Sequence, residues 1–386
     1  MENSWVHKTL GELFVFKNGL NKGKEYFGYG TPIINYMDVY KHPAIKKKYV
    51  QGRVTLSHQE LDRFRVLKGD VFFTRTSETP EEVGMSATLL EDIPNCSFSG
   101  FVLRARPLTD LLIPEYCVYA FTAKEIRASI IKNCTYTTRA LTNGRVLASL
   151  KLPIPSLAEQ QRIASALSDA DALVTELDAL IEKKRAIMAG TMQELLTGKR
   201  RLQGFSEPWV ERTLEEICLR HDNLRIPVKA SDRKAGYTPY YGANGIQDYV
   251  EGYTHDGESI LIAEDGANDL DNYPVNFAVG KIWVNNHAHV VKAKEEFIYS
   301  YFLYLALKQC NFNDVIVGSS RAKLNASSLM QINVKYPSSL AEQRAIASIL
   351  SDMDAEIAEL EAKRDKYKEV RQGMMQQLLT GKIRLI

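Results

Sequence analysis

Ser156-Leu157-Ala158-Glu159-Gln160 opens a segment that runs to Leu196-Thr197-Gly198-Lys199. The same segment returns as Ser339-Leu340-Ala341-Glu342-Gln343 through Leu379-Thr380-Gly381-Lys382. The spacing is identical at both ends, so the copies align without a gap. Repeats this far apart mark duplicated architecture, not a stacked solenoid, whose periods run roughly 20–50 residues. Each copy reads as one long helix. Ser156 and Ser339 are N-cap residues, and Glu159 and Glu342 three positions on complete an S-x-x-E capping box. Pro153 and Pro155 keep the chain extended before the first copy, as Pro337 does before the second. Gly198 and Gly381 stand where a helix C-terminus requires positive φ.

Apolar residues inside the repeat follow a 4-3 spacing: Ile163, Leu167, Ala170, Val174, Leu177, Ile181, Met188 and Leu195 in the first copy. Ile346, Leu350, Met353, Ile357, Leu360, Tyr367, Met374 and Leu378 follow it in the second. That is a coiled-coil seam, interrupted by Lys184, Arg364 and Arg371. The other reading, two amphipathic helices each packed on its own domain, asks for shorter helices than these heptads allow. If the seams pack together, the order of the chain makes the pair antiparallel. About 40 residues at 1.5 Å each give a rod of about 60 Å.

The rest of the chain falls into two units that start alike. Trp5-Val6-x-x-Thr9-Leu10-x-Glu12-Leu13 matches Trp209-Val210-x-x-Thr213-Leu214-x-Glu216-Ile217. They close alike too, at Thr138-Arg139-Ala140 and Ser320-Arg321-Ala322. Between these landmarks they look unrelated. The plan is a first unit (1–155), a spacer helix (156–202), a second unit (203–338) and a second spacer helix (339–386). The fold class is mixed α/β: two globular units separated by a long antiparallel two-helix coiled coil, with pseudo-twofold symmetry. Strands are expected over 70–74, 101–104, 259–263 and 289–292, and short helices over 115–132 and 296–310.

Composition bounds the function. A chain of 386 residues, 45% hydrophobic and 25% charged, is ordinary for a globular protein of two or three domains. Five scattered cysteines without a C-x-x-C pair argue against a zinc ribbon or a disulfide framework and fit a reducing cytosol. No apolar run reaches the roughly 20 residues of a membrane span. Net charge is +2, but 1–155 is basic on balance and 203–338 acidic. The first unit permits a basic DNA-binding face and the second does not advertise one.

No catalytic constellation emerges. Gly198-Lys199 and Gly381-Lys382 lack the upstream glycine and the following Ser/Thr of a phosphate-binding loop. No G-x-G-x-x-G, G-x-S-x-G or Asn-Pro-Pro-aromatic motif is present. Glu264-Asp265 lacks the lysine of a nuclease E-x-K, and His287-Ala288-His289 lacks cysteine partners at zinc spacing, so a surface turn is the preferred reading there. A chain of this kind leans toward binding. Candidate nucleic-acid contacts are Lys17, Asn18, Lys22 and Lys24 in a basic turn, and Arg75, Thr76 and Ser77 at a strand end. In the second unit they are Tyr241, Asn244, Asn286 and His287, with Arg139 and Arg321 at the closing hooks. Arginine suits phosphate or a guanine edge, and asparagine an adenine edge.

Two dissimilar units, each opening with Trp-x-x-x-x-Leu-x-Glu and leading into Leu-Ala-Glu-Gln, a long helix and Leu-Thr-Gly-Lys, resemble the specificity subunit of type I restriction–modification systems. The segments Ile262–Asn268 and Asn286–His289 also look like target-recognition domains of that family. The resemblance covers nearly the whole chain. It implies that each unit is a target-recognition domain reading one half of a split, asymmetric double-stranded DNA site. The helices would set the gap and dock two modification (methyltransferase) subunits, with Glu159, Gln160, Glu342 and Gln343 as partner-binding residues. It implies no catalysis and no cofactor in this chain. S-adenosylmethionine belongs to the modification subunit, ATP and Mg to the restriction subunits, and the location is cytoplasmic. A coiled-coil adaptor that binds proteins and not DNA is the rival reading, with a metal nuclease third.

Overall fold

The computed structural model describes residues 5–317 and 323–385. The chain forms two units, one of Met1–Asp178 with Ala362–Ile386, the other of Ala179–Glu361. Each is mixed α/β, and each long helix contributes to both.

In the first unit, strand Val6–Thr9 pairs antiparallel with Lys151–Ile154, the strand that leads into the first long helix. The main sheet has five strands in the order Phe14–Asn18, Val102–Pro107, Val71–Thr74, Ser86–Leu89, Ala44–Ile45. Val71, Phe72 and Phe73 are wholly buried, as expected of a central strand covered on both faces. A smaller sheet pairs Phe27–Ile34 antiparallel with Arg53–Val54 and parallel with Ser97–Phe98.

The second unit repeats this plan. Trp209–Thr213 pairs antiparallel with Asn333–Pro337. The main sheet runs Cys218–Arg220, Ala288–Ala293, Ser259–Ala263, Val275–Ala278. Strand Ala235–Gly242 pairs antiparallel with Gly245–Val250 and parallel with Trp283–Val284. The units that look unrelated in sequence therefore share the order and direction of four main-sheet strands, to which the first unit adds Ala44–Ile45 at one edge. Their common opening is a helix start: the Glu12 carboxylate accepts from the Thr9 N–H (2.8 Å) and hydroxyl (2.9 Å), and Glu216 from the same groups of Thr213 (2.9 and 3.1 Å). The helix expected over 115–132 is two, Pro114–Ala120 and Lys124–Asn133, and the one over 296–310 is shorter, Ser300–Lys308.

The repeated segments form helices Leu157–Leu195 and Leu340–Leu378. They pack together, antiparallel, as a coiled coil. Within the first unit Arg371 pairs with Asp171, and Arg364 lies 3.5 Å from Asp178. Within the second, Lys184 reaches Glu356 at 2.6 Å, and Arg185 pairs with Glu361. Positions rise along one helix as they fall along the other, which only an antiparallel pair allows. The three interruptions of the seam are thus cross-helix ion pairs. Such charges fix register more than they add stability.

The ends of the repeat depart from the expected capping box. The Glu159 N–H bonds the Ser156 hydroxyl at 3.3 Å, but the Glu159 carboxylate turns to the Arg384 guanidinium (2.7 and 2.8 Å) and the Trp5 indole N–H (3.1 Å). Glu342 does the same with Arg201 (2.6 and 2.7 Å). Gly198 and Gly381 both take φ of 71°. A Cβ on Gly198 would come within 3.1 Å of the Trp209 ring, and one on Gly381 within 3.3 Å of the Trp5 ring. The tryptophan that opens each unit thus packs on the glycine that closes a long helix.

Candidate nucleic-acid interface

The main sheet of the first unit carries a cleft of about 430 Å³ lined by Phe16, Lys17, Asn18, Arg75, Leu103, Asn143, Gly144 and Arg145. Lys17 and Asn18 end one edge strand, where they pair with Arg104 and Leu103. Arg75 follows Thr74, the last residue of the central strand. Asn143 caps the helix Gly144–Ala148 through its side-chain oxygen, which accepts from the N–H groups of Arg145 and Val146, both at 3.0 Å. The Thr142 N–H bonds the Arg75 carbonyl at 2.9 Å, which holds the two stretches side by side.

Among the described residues no carboxylate lines this cleft. Lys17 donates to the Arg63 carbonyl and Arg75 to the Gly100 carbonyl at 2.9 Å. The Arg75 Nε is buried without a hydrogen-bond partner. Burial, then the guanidiniums of Arg104, Arg63 and Arg106, push the Lys17 ammonium below the usual lysine range. The cleft is therefore a concentration of positive charge that the first unit does not itself neutralise.

Shared topology identifies the corresponding place in the second unit. There the Leu324 N–H bonds the Glu264 carbonyl at 2.8 Å, and Asn325 precedes the helix Ala326–Met330. Glu264 follows Ala263 at the end of the central strand, so it stands where the first unit has Arg75. Counted from the common opening, Asp222 stands where the first unit has Asn18. These carboxylates are consumed internally. Glu264 pairs with Arg225 (2.7 Å) and Lys323 (3.0 Å), and Asp222 meets His289 Nδ1 at 2.7 Å and accepts from the Val290 N–H at 2.8 Å. His289 Nε2 faces the Leu324 carbonyl at 2.8 Å. Burial alone would raise the Asp222 carboxyl, but its bonds to His289 and Val290 outweigh it and leave the group below its ordinary value.

The remaining candidates are dispersed. Lys22 is paired with Glu60 at 2.7 Å and lies over the Tyr26 ring. Lys24 is exposed in a short turn. Thr76 pairs with Leu141, and Ser77 is buried and bonds Glu82. Arg139 is exposed between strands Thr135–Tyr136 and Ala140–Leu141. Tyr241 is buried. Asn244 spends its amide bracing a neighbouring loop, through the Gly266 carbonyl (2.9 Å) and the Asn268 N–H (3.0 Å). Asn286 is exposed. His287 bonds Asp265 at 2.5 Å. Arg321 lies outside the described residues.

The surface turn expected for His287-Ala288-His289 holds at His287 only, and His289 is buried in the strand expected over 289–292. Glu159, Gln160, Glu342 and Gln343 are almost wholly buried in the chain itself. Gln160 accepts from the Ile113 N–H (3.0 Å) and donates to the carbonyls of Leu111 (2.8 Å) and Pro155 (2.9 Å). Gln343 does the same with Tyr299 (2.7 Å), Phe297 (3.1 Å) and Pro337 (2.9 Å). Reading the sequence missed Asn143 and Arg145. An Asn-Gly turn signal marks the spot, but only strand pairing brings it beside Lys17 and Arg75.

Comparison with known proteins is consistent with this architecture. The chain is 25% identical over 411 aligned residues to a putative type I restriction enzyme specificity subunit of Methanocaldococcus jannaschii, covering 99% of this chain and 94% of that protein. A putative type I specificity subunit of Haemophilus influenzae is 48% identical over 154 residues, 40% of this chain and 39% of that protein. The chain therefore matches only about two fifths of the length of the second relative. The crystal structure of a type I system S subunit from M. genitalium superposes with a TM-score of 0.62 at 21% identity, covering 98% and 97% of the two chains; this likeness establishes the fold. A family model for the type I restriction modification DNA specificity domain matches residues 2–184 and again 206–369, and on that ground the chain belongs to the type I restriction–modification DNA specificity family.

Proposed function

We propose that this chain is the DNA-reading subunit of a type I restriction–modification complex. Each unit reads one half of a split, asymmetric site. The observation that carries this reading is a frame built twice and filled differently: equal strand order, yet Arg75 and Asn18 in one unit where Glu264 and Asp222 stand in the other. Two readers on one plan suit two different half-sites.

Chemistry is delegated. The chain is not itself catalytic; it docks two modification subunits, which hold S-adenosylmethionine and methylate adenine. Restriction subunits, using ATP and Mg, complete the assembly in the cytoplasm. No described helix is long and apolar enough to cross a membrane. A gel shift of the chain with its modification subunits on random duplexes tests the reading, and absence of any DNA binding by that complex would sink it. Exchanging the second unit should change one half-site in a methylome; a change in both would refute independent reading.

A further inference from the structure

We infer that Lys17, Arg75 and Arg145 of the first unit form a binding site for DNA backbone phosphate, and that the second unit has closed the corresponding site with its own carboxylates. The inference rests on the DNA-reading function proposed above and goes beyond it. The electrostatic grip becomes one-sided, although the frame is duplicated.

Three observations carry it. First, the cleft combines two guanidiniums and an ammonium with no carboxylate among its described lining residues. Among the described residues none of the three has an ion-pair partner, since Lys17 and Arg75 bond only carbonyls and Arg145 is exposed. Secondly, Lys17 lies among Arg104, Arg63 and Arg106, of which Arg106 is paired with Asp70, so an incoming anion relieves the like-charge repulsion that remains. Thirdly, the second unit shows what this position becomes when the chain supplies the anions. Asp222 and Glu264 occupy it, paired with Arg225 and Lys323, and Asp222 also bonds His289. Phosphate suits the first site better than a base edge. Cations converging from three separate segments meet a diffuse anion without the coplanar geometry that bidentate base reading demands.

Each phosphate contact adds about 0.9 to the slope of log K against log salt. Between about 50 and 200 mM salt one contact is therefore about 3.5-fold in affinity, and two are about twelvefold. The test is a salt titration of DNA binding by the chain with its modification subunits, comparing wild type, Lys17→Gln with Arg145→Gln, and Glu264→Gln. The slope should fall by about 1.8 in the double variant, equally on specific and non-specific duplexes. The Glu264→Gln slope should not fall, and it should rise by up to about 0.9 for each cation that Glu264 releases. Thermal melting separates a structural role: losing Lys17 removes like-charge crowding, so the double variant should melt no lower than wild type. An unchanged slope in the double variant, with wild type binding DNA normally, overturns this inference alone. A wild type that binds no DNA fails the functional reading instead.

Discussion

Gln160 offers the sharpest test of what the repeated motif is for. Its side chain is fully buried and fully used, with one accepted and two donated hydrogen bonds to the backbone of Ile113, Leu111 and Pro155. It ties the start of the first long helix to the segment preceding Pro114–Ala120. In Gln160→Leu one N–H and two carbonyls lose their partner. At about 1–3 kcal/mol for each buried group left unsatisfied, the loss is about 3–9 kcal/mol. Leucine returns about 1–2 kcal/mol by burying apolar surface, leaving a net destabilisation of about 1–8 kcal/mol. That is a large share of the roughly 5–15 kcal/mol that holds a domain together. Urea denaturation at neutral pH, followed by tryptophan fluorescence, measures it. Gln343 makes the matching bonds to Tyr299, Phe297 and Pro337 in the other unit, so Gln343→Leu should cost a similar amount and the two should add. If Gln160→Leu stays within about 0.5 kcal/mol of wild type, the size expected of a surface change, the buried-clamp reasoning is wrong and a surface role for the motif returns.

Other consequences are as direct. Lys184→Glu should weaken the helix pair and Glu356→Lys should restore it, with a coupling of about 0.3–1 kcal/mol in a double-mutant cycle, the pair being partly exposed. Gly381→Ala and Gly198→Ala should each lower thermal stability by about 1–2 kcal/mol, because φ of 71° disfavours a Cβ and each faces a tryptophan ring. Acid should destabilise the fold through its bonded carboxylates. The Arg384 bond holds Glu159 below its ordinary value, and backbone and side-chain bonds take Glu12 from 4.5 to about 2. A carboxylate depressed in the folded state gives stability that is complete above its unfolded value and lost as pH falls through the folded one. Denaturation midpoints should therefore fall between about pH 4.5 and 2, and Glu159→Gln should flatten that decline.

Much of the fold was legible because it rests on local chemistry. Capping residues, proline and glycine placement and a heptad period announced two long helices, and their order in the chain required an antiparallel pair. Strand Ser259–Ala263 was read to the residue, since a short apolar run bounded by turns leaves little choice. The double helix at Pro114–Asn133 was read as one because apolar periodicity continues through Phe121 and Ala123, where the backbone does not.

The site was only half legible. Lys17, Asn18 and Arg75 could be named from turn and strand-end signals, but nothing local says that Arg145 joins them or that Lys22 is tied to Glu60. The family resemblance implies that Glu159, Gln160 and their copies bind a partner, and the fold buries these side chains within the chain itself. The sequence by itself determined the duplicated frame, the two helices and their direction, because those follow from residues a few positions apart. Only the tertiary structure decided what fills the frame. Strand register brings distant residues to one strand end, and there the chemistry reverses, with open cations in one unit and closed ion pairs in the other. The seam charges Lys184, Arg364 and Arg371 belong to the same class: each looks like a defect along its own helix and finds its reason in the acidic residue facing it on the other.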